Sequence, residues 1–304
     1  MKSQYFTKEI NLPSGGTLME IKKVTFNDFP NCYEIHTKNE KMILTSSFGP
    51  RILYFGNNNT GNILFNEANP LKKKIGFHLY GGHRFWLAPE TQFTARSDDR
   101  SCLVEQKDNY LKITSYDPQL HFEKTLRITE KNNRFSVEHI FVNKGRYIFP
   151  ASLWGLTCVP PEGIVFFPWN TTGSWKLSKI IYWQRWTKQK TNISSNQFVP
   201  TPDLFLIKPN GDTGKVGTAG YEGFVGITNK NYTFIKKFNY VDGASYPDDN
   251  CAIEVYTCKY FIELETLSPI YMTEPNHPYV HTEEWILIDK AINPEDGIEI
   301  RKLL

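Results

Sequence analysis

The sequence lacks the features that mark several large classes of protein. It has no apolar run near the roughly 18 residues that a membrane-spanning helix needs, so we predict no membrane span. Residues 1–9 contain neither an apolar stretch nor a small-residue cleavage site, and we therefore expect a cytoplasmic protein without a signal peptide. The formal net charge of +3 gives no strong field, so neither nucleic acid nor a membrane is an expected partner. The sequence leaves the oligomeric state open.

Cysteine is scarce, and the common cofactor motifs are missing. The chain has five cysteines and no Cys-x-x-Cys pair, which favours reduced, mostly buried thiols over a disulfide framework or a zinc site. The glycine-rich segment 211–220 lacks the spacing of a phosphate-binding loop, and no Gly-x-Ser-x-Gly or His-Glu-x-x-His motif is present. His78 and His83 are spaced for metal binding neither on a helix nor on a strand. We therefore predict no cofactor and no metal.

Aromatic residues and short strand patterns are abundant. Phe, Tyr and Trp make up 14% of the chain, which excludes disorder and predicts a sizeable core. Apolar and polar residues alternate with period two, most clearly in 121–128, whereas 24–35 and 178–190 are the only short helix candidates. Further β-rich runs are 41–46, 51–55, 103–106, 111–115, 134–142, 163–167, 224–228, 251–256, 260–265 and 285–288. Many antiparallel strands without alternating helices predict an all-β fold, a large β-sandwich or barrel-like sheet pair, with 1–304 as a single domain.

Two glutamates near the C-terminus form the first candidate site. Glu263 and Glu265 are two residues apart in a predicted strand, so both side chains point to one face while Ile262 and Leu264 face the core. Neighbouring carboxylates repel each other and tend to raise one pKa, which suits general acid–base chemistry. A solvated strand face with two ordinary glutamates explains the pattern equally well, but several further titratable groups between 274 and 284 favour a site.

The segment 78–90, which contains Gly-Gly-His-Arg, is the second candidate. Paired glycines permit a close approach of the backbone to a ligand, or a turn that other residues cannot form. His83 is a switchable donor, Arg84 a fixed fork of donors, and Trp86 a flat apolar face; with Glu90 they form an array suited to hydroxyl-rich or anionic ligands. The alternative is a simple hairpin turn with Arg84 paired to a surface acid.

Tryptophans in 166–186 and lysines near 211–220 are further ligand candidates. The tryptophans, among them Trp169 and Trp183, would offer faces for the C–H side of a sugar ring, although packing in the core explains most of them. Base stacking is a third use, which normally requires a basic groove. Lys208 and Lys215 are candidate ligand contacts at the glycine-rich segment.

Several segments together resemble the galactose mutarotases (aldose 1-epimerases), with matching order and spacing across nearly the whole chain. The segments that carry the resemblance are Gly49-Pro50-Arg51-Ile52, Gly81-Gly82, Ile262-Glu263-Leu264-Glu265-Thr266, Pro269 and His281-Thr282-Glu283-Glu284-Trp285. An uncharacterised bacterial branch of this superfamily is the nearest match, on Gly-Gly-His-Arg-Phe-Trp-Leu-Ala-Pro-Glu and Glu-Leu-Glu-Thr-Leu-Ser-Pro. The resemblance implies a large antiparallel β-supersandwich whose concave sheet face binds carbohydrate.

The resemblance also implies roles for particular residues. Glu265 falls where mutarotases have the base that deprotonates the anomeric hydroxyl, with Glu263 beside it. The first-site histidine of the family falls on Tyr80, for which His83 or His78 would substitute. The strand 151–156 corresponds to the segment that carries the family's mid-chain histidine, the ring-oxygen acid, and has no histidine.

These patterns predict a mutarotase-like carbohydrate-binding protein whose ligand is a sugar or oligosaccharide. If it is an enzyme, we expect an aldose 1-epimerase-like isomerase for an unusual or acidic sugar, with Glu265 and His83 as catalytic residues. The substrate contacts would be Arg84, Glu263, Trp86, Tyr80, Arg51 and Lys215. One alternative is a non-catalytic sugar-binding module. Another is a carboxylate-dependent polysaccharide lyase or glycoside hydrolase, whose carboxyl groups would stand roughly 5–9.5 Å apart.

Overall fold

A computed structural model describes residues 19–66, 80–91, 94, 98–169, 176–186 and 189–304. The candidate His78 and Trp175, one of the tryptophans of 166–186, lie outside these ranges. Antiparallel strands dominate the described chain, and none of its helices is long and apolar enough to cross a membrane. The predicted all-β fold is confirmed.

The strands are numbered in chain order. The first twelve are β1 (Ile21–Phe26), β2 (Phe29–His36), β3 (Lys41–Thr45), β4 (Arg51–Asn57), β5 (Gly61–Asn62), β6 (His83–Ala88), β7 (Leu103–Lys107), β8 (Tyr110–Asp117), β9 (Phe122–Lys131), β10 (Arg134–Asn143), β11 (Phe149–Val159) and β12 (Ile164–Pro168). The others are β13 (Ile181–Tyr182), β14 (Arg185–Trp186), β15 (Gln189–Lys190), β16 (Phe198–Pro200), β17 (Leu204–Ile207), β18 (Gly214–Thr218), β19 (Phe224–Thr228), β20 (Thr233–Phe238), β21 (Ile253–Thr257), β22 (Ile262–Leu267), β23 (Tyr271–Thr273) and β24 (Pro278–Ile288). Two short helical segments are α1 (Pro247–Asn250) and α2 (Gly297–Arg301). Positive φ angles at Asp248 and Asp249 make α1 a left-handed turn.

Two large sheets contain nearly all of these strands. Sheet I has the order β1-β2-β3-β4-β6-β11-β22-β21-β18-β13, with β5 paired to β4 and β23 to β11. Sheet II has the order β16-β17-β12-β19-β20-β24-β10-β9-β8-β7, and β14 and β15 form a separate hairpin. The long strand β11 lies inside sheet I between β6 and β22. This order brings the two candidate segments of the sequence to opposite sides of one strand.

Aromatic side chains fill the space between the sheets. Phe55 of sheet I contacts Phe234 and Trp285 of sheet II, with ring centroids 5.6 and 5.0 Å away. Ile262 and Leu264 are fully buried in the same cluster, as their alternation predicts. A separate apolar cluster, which includes Phe166 and Ile300, contains side chains of sheet II and of α2. The remaining face of sheet I carries the candidate site.

Both short helix candidates are strands instead. Residues 24–35 belong to the β1–β2 hairpin, where Asn27 and Asp28 have φ angles of 48° and 62°. Two consecutive residues in the left-handed region are typical of a tight hairpin turn and cannot continue a right-handed helix. Residues 178–190 contain the short strands β13, β14 and β15.

Candidate functional site

The register of sheet I collects the candidate residues on its outer face, away from sheet II. In one row across the sheet, Arg84 pairs with Leu156, which pairs with Glu265, which pairs with Glu254. Directly opposed residues of antiparallel strands point to the same face of a sheet. Glu263 follows on this face because it is two residues from Glu265, so the predicted common face of the two glutamates is confirmed.

A pocket of about 140 Å³ opens above this row. It is lined by Arg84, Glu90, Trp154, Leu156, Trp186, Gln189, Lys215, Tyr256 and Glu263. The lining comes from β6 and the residues after it, from β11, β18, β21 and β22, and from the β14–β15 hairpin. Ligand sites for drug-sized molecules begin near 300 Å³, so this volume suits a smaller ligand.

Lys215 forms the charged centre of the pocket wall. Its Nζ lies 2.7 Å from Oε1 and 2.6 Å from Oε2 of Glu265, and 2.7 Å from Oε2 of Glu254. All three side chains are almost completely buried. The ammonium also stands over the rings of Trp154 and Trp186, 5.1 and 4.5 Å from their centroids. The ammonium donates hydrogen bonds to Glu265, while its contact with Glu254 is a close ion pair, so both carboxyl groups compete for one cation.

The pairing of Glu254 with Glu265 explains why a lysine is needed there. Like charges directly opposed on neighbouring strands are destabilising, and Lys215 on the next strand compensates them. Burial raises the pKa of Glu265 to about 7, against the lowering effect of Lys215. Burial likewise raises the pKa of Glu254 well above its ordinary value. Burial opposes the charge on Lys215, but the two glutamates raise its pKa, so the lysine stays protonated.

Glu265 lies directly beneath the pocket and is not among the residues that line it. Its side chain is fully buried and accepts a hydrogen bond from the indole N–H of Trp154 at 2.8 Å, besides those from Lys215. It is therefore held by three donor contacts immediately below the lining residues. A carboxyl group whose pKa is about 7 exists in both protonation states near neutral pH, which is the property that general acid–base chemistry requires.

Arg84 and Glu263 form the opposite side of the pocket. The guanidinium of Arg84 lies 3.9 Å from Oε1 of Glu263 and packs over the ring of Trp86, 4.6 Å from its centroid. Glu263 also accepts a contact of 3.6 Å from the thiol of Cys158. Trp86 itself is buried beneath Arg84 and does not line the pocket. Arg84 and Glu263 thus line the pocket, and Trp86 packs against Arg84.

The aromatic residues of 166–186 divide between two places. Trp186 lines the pocket, and its ring contacts those of Trp154 and Trp183 at centroid distances of 6.2 and 5.3 Å. Trp169 lies at the end of sheet II, where its indole N–H donates to the carbonyl of Thr201 at 2.9 Å. Among the described tryptophans of 166–186, Trp186 therefore lines the pocket together with Trp154, and Trp183 packs against Trp186.

The structure does not bring His83 to the pocket, and the prediction that it shares a site with Glu265 is wrong. The side chain points between the sheets, where its Nε2 lies 2.8 Å from Nε2 of His139 and its Nδ1 lies 2.8 Å from Oγ1 of Thr157. The physical reason is the strand period: Arg84 faces outward, so the preceding residue must face inward. Burial lowers the pKa of His83 well below its ordinary value.

His83 belongs instead to a polar network between the sheets. Glu283 accepts hydrogen bonds from Thr266 at 2.5 Å and from Trp285 at 2.7 Å, and forms an ion pair of 3.0 Å with Lys236. His281 lies 2.8 Å from Oγ1 of Thr266. Lys236 also donates to the backbone carbonyls of residues 155 and 264, at 2.9 and 3.0 Å. The network therefore supports β11 and β22 from behind the pocket.

Among the described residues, one group could in principle coordinate a metal. The ligand atoms of His83, His139 and Glu283 lie within 4.8 Å of one another. The carboxylate of Glu283 already accepts from two neutral donors and pairs with the ammonium of Lys236, as described above. This cation beside the carboxylate opposes the binding of a metal ion. We therefore assign the group to the polar network.

Arg51 and Tyr80 lie to one side of the pocket and do not line it. Arg51 is buried and donates to Asp98 at 2.5 Å and to the carbonyl of Gly81 at 2.7 Å. Tyr80 stacks on Phe48 with ring centroids 3.8 Å apart. Gly81 has a φ of 76°, and a Cβ there would lie 2.2 Å from a backbone oxygen, so the predicted need for glycine in this turn is confirmed. These residues shape the chain that leads into β6.

Glu254, Tyr256 and Gln189 were not among the site residues predicted from the sequence. Glu254 and Tyr256 have the same two-residue spacing as Glu263 and Glu265 and lie in a run that was identified as a strand. Their alternation could have shown that both face one side. Their pairing with β22 could not be read from one sequence, because the partner of a strand is set by tertiary packing. Gln189 follows no such pattern.

Comparison with known proteins gives the fold. Neither a family model nor a curated protein sequence matches the chain. Among solved structures, a galactose mutarotase-like protein from Lactobacillus casei has a TM-score of 0.56 and 9% identity, over 84% of this chain and 99% of that one. One from Clostridium acetobutylicum has a TM-score of 0.57 and 8% identity, over 90% and 99%.

A longer protein is also similar. The TPR-domain containing protein from Parabacteroides distasonis has a TM-score of 0.59 and 12% identity over 87% of this chain, which spans only 48% of that protein's length. At such low identities the comparisons establish architecture alone. With the two antiparallel sheets and the outer-face pocket described above, they show that this chain has the galactose mutarotase-like fold.

Proposed function

We propose that the pocket on sheet I binds a single sugar ring and that the protein interconverts the anomers of that sugar. The observation that carries the proposal is Glu265, a buried carboxyl with a pKa of about 7 directly beneath a small pocket with charged and indole walls. Indole faces pack against the C–H side of a sugar ring, while Arg84 and Glu263 offer a donor and an acceptor for hydroxyl groups. The fold shared with mutarotase-like proteins is consistent with this use.

Glu265 is the proposed base of the reaction. It would take the proton of the anomeric hydroxyl when the side chains around it give access to the bound sugar. Lys215 would offset the negative charge of the two glutamates beneath the pocket, because it remains protonated between Glu254 and Glu265. Since the two glutamates occupy Lys215, Arg84 is the cation that would contact the carboxylate of an acidic sugar. Neutral and acidic sugars are therefore both tested.

The test is anomer exchange measured by NMR magnetisation transfer. Freshly dissolved glucose, galactose, glucuronate and galacturonate are compared with and without the protein. We expect accelerated exchange for at least one sugar, and a loss of at least about 100-fold for Glu265→Gln, the lower end of the usual contribution of a general base. A folded Glu265→Gln protein with the wild-type rate would exclude the assigned base.

A non-catalytic sugar-binding protein is the second candidate. Lys215 contacts both carboxylate oxygens of Glu265, and this arrangement favours a fixed structural ion pair over an available base. The same NMR samples separate the two functions. Saturation transfer to a sugar without faster anomer exchange would establish binding alone, whereas absence of binding by the whole panel would contradict both.

A further inference from the structure

Opening a sugar ring requires a proton donor as well as a base. The anomeric hydroxyl loses a proton while the ring oxygen gains one, and both partners must be within hydrogen-bond reach. No histidine is among the residues that line the pocket in the described parts of the chain. Besides Glu263, the pocket is lined by a carboxyl group that approaches from a different strand than Glu265.

That group is Glu90, which follows β6 directly after Pro89. Strand β11 separates β6 from β22, so Glu90 and Glu265 approach the pocket from different sides. Glu90 is partly buried, lines the pocket and hydrogen-bonds with the side chain of Trp186. Resting on the proposed function, we propose that Glu90 is the acid that protonates the ring oxygen of the bound sugar.

The proposed step balances without any co-reactant. The Glu265 carboxylate takes the proton of the anomeric hydroxyl, and the electron pair of that O–H bond forms the carbonyl at C1. The bond from C1 to the ring oxygen breaks, and the ring oxygen takes the proton of Glu90. Rotation about the C1–C2 bond and reversal of both transfers give the other anomer and restore both glutamates.

The surroundings of Glu90 are consistent with a proton donor. Burial raises the pKa of its carboxyl, and the negative charge of Glu263 raises it further. Arg84 and Lys215 act in the opposite direction, as does the hydrogen bond with Trp186. The shift is upward, so Glu90 carries its proton to a higher pH than an exposed glutamate.

The test is the pH profile of anomer exchange with the full chain, using the sugar of the panel above whose exchange is fastest. Because one group must be protonated and the other ionised, we expect a bell-shaped wild-type profile. Glu90→Gln should lower kcat by at least about 100-fold with little change in KM, and its residual activity should no longer fall on the alkaline side. Glu90→Asp, which keeps an acid, should retain the alkaline fall.

Glu263→Gln is the matched control, since it removes another carboxylate from the same pocket. We expect it to raise KM while the alkaline fall remains. A folded Glu90→Gln protein with the wild-type kcat, or with an unchanged alkaline fall, would overturn the role of Glu90 and leave sugar epimerisation standing. If Glu90→Gln does not fold, loss of the alkaline fall in Glu90→Asp overturns it too. A wild-type protein that accelerates no sugar contradicts the proposed function itself.

Discussion

Gly155 shows how closely the two faces of one strand are coupled. It lies in β11 between Trp154 and Leu156, which line the pocket, while its own inner side meets the polar network. A Cβ at this position would lie 2.5 Å from Oε1 of Glu283 and 2.9 Å from Nε2 of His139. The absence of a side chain therefore lets the buried charges approach the strand that forms the pocket.

Gly155→Ala should consequently destabilise the protein. Overpacking a filled core costs about 1–3 kcal/mol, and here the displaced atoms belong to a hydrogen-bonded carboxylate. Urea unfolding followed by circular dichroism measures the change. The substitution Ala151→Gly in the same strand is a control for strand propensity, because it removes a methyl group without crowding the network. An unchanged free energy of unfolding for Gly155→Ala would contradict the described packing.

Residue-level prediction succeeded where strand alternation alone decides the outcome. Glu263 and Glu265 share a face, and Ile262 and Leu264 are buried, because all four follow the period of two. The same rule excludes His83 from the face of Arg84, since consecutive strand residues point to opposite sides. The error with His83 thus came from grouping residues by proximity along the chain.

At the level of elements, the β14–β15 hairpin is the least predictable part of the site. Its strands contain only two residues each, too few for a period to be recognised. It nevertheless supplies Trp186 and Gln189 to the pocket, and Trp186 packs against Lys215. The longer strands β9 and β10 were predictable because alternation extends over their partly buried faces, whereas only residues 285–288 of β24 were predicted.

Removing the indole of the hairpin should weaken sugar binding. An aromatic contact contributes about 0.5–1.5 kcal/mol, so Trp186→Ala should raise Kd roughly 2- to 13-fold. Titration calorimetry with the sugar that binds in the NMR panel gives the value. Trp169→Phe is the control, since Trp169 lies at the end of sheet II and should leave Kd unchanged. Equal effects of both substitutions would place the ligand elsewhere.

For the whole molecule, buried titratable groups make stability depend on pH in opposing directions. Burial lowers the pKa of His281 to about 3, so the folded protein keeps this histidine neutral while the unfolded chain protonates it near pH 6.5. Its contribution to stability is therefore complete above pH 6.5 and is lost as pH falls towards 3. Glu265 has the opposite effect: its pKa is raised on folding, so its contribution to stability increases as pH falls from about 7 to 4.5.

A comparison of variants isolates the histidine contribution. The unfolded chain protonates this histidine at pH 5 and the folded protein does not, so His281 stabilises the folded state by about 2 kcal/mol less at pH 5 than at pH 8. His281→Gln should therefore be about 2 kcal/mol less destabilising at pH 5 than at pH 8. Urea unfolding at both pH values measures the difference. His277→Gln, at an exposed position, should show no such change. The same destabilisation at both pH values would contradict a buried neutral His281.

The all-β class could be predicted from the sequence, whereas the topology could not. The fold class follows from the local two-residue periodicity and from the scarcity of helical patterns. The order β6-β11-β22-β21-β18 joins residues from 83 to 267, and those pairings depend on long-range packing that no local pattern contains. Glu254 joined Glu265 only through this order, whereas Glu90 was already grouped with Arg84 in the segment 78–90.

Lys215, Glu254 and Glu265 lie on three adjacent strands, where one buried ammonium pairs with two buried carboxyl groups. Loss of one partner from such a buried group leaves an uncompensated charge and costs about 3–5 kcal/mol. In descent, the three positions are therefore expected to change together or not at all. A relative with an apolar residue in place of the lysine should also have lost at least one of the two glutamates. The charges of these three buried residues would thus be inherited as one character.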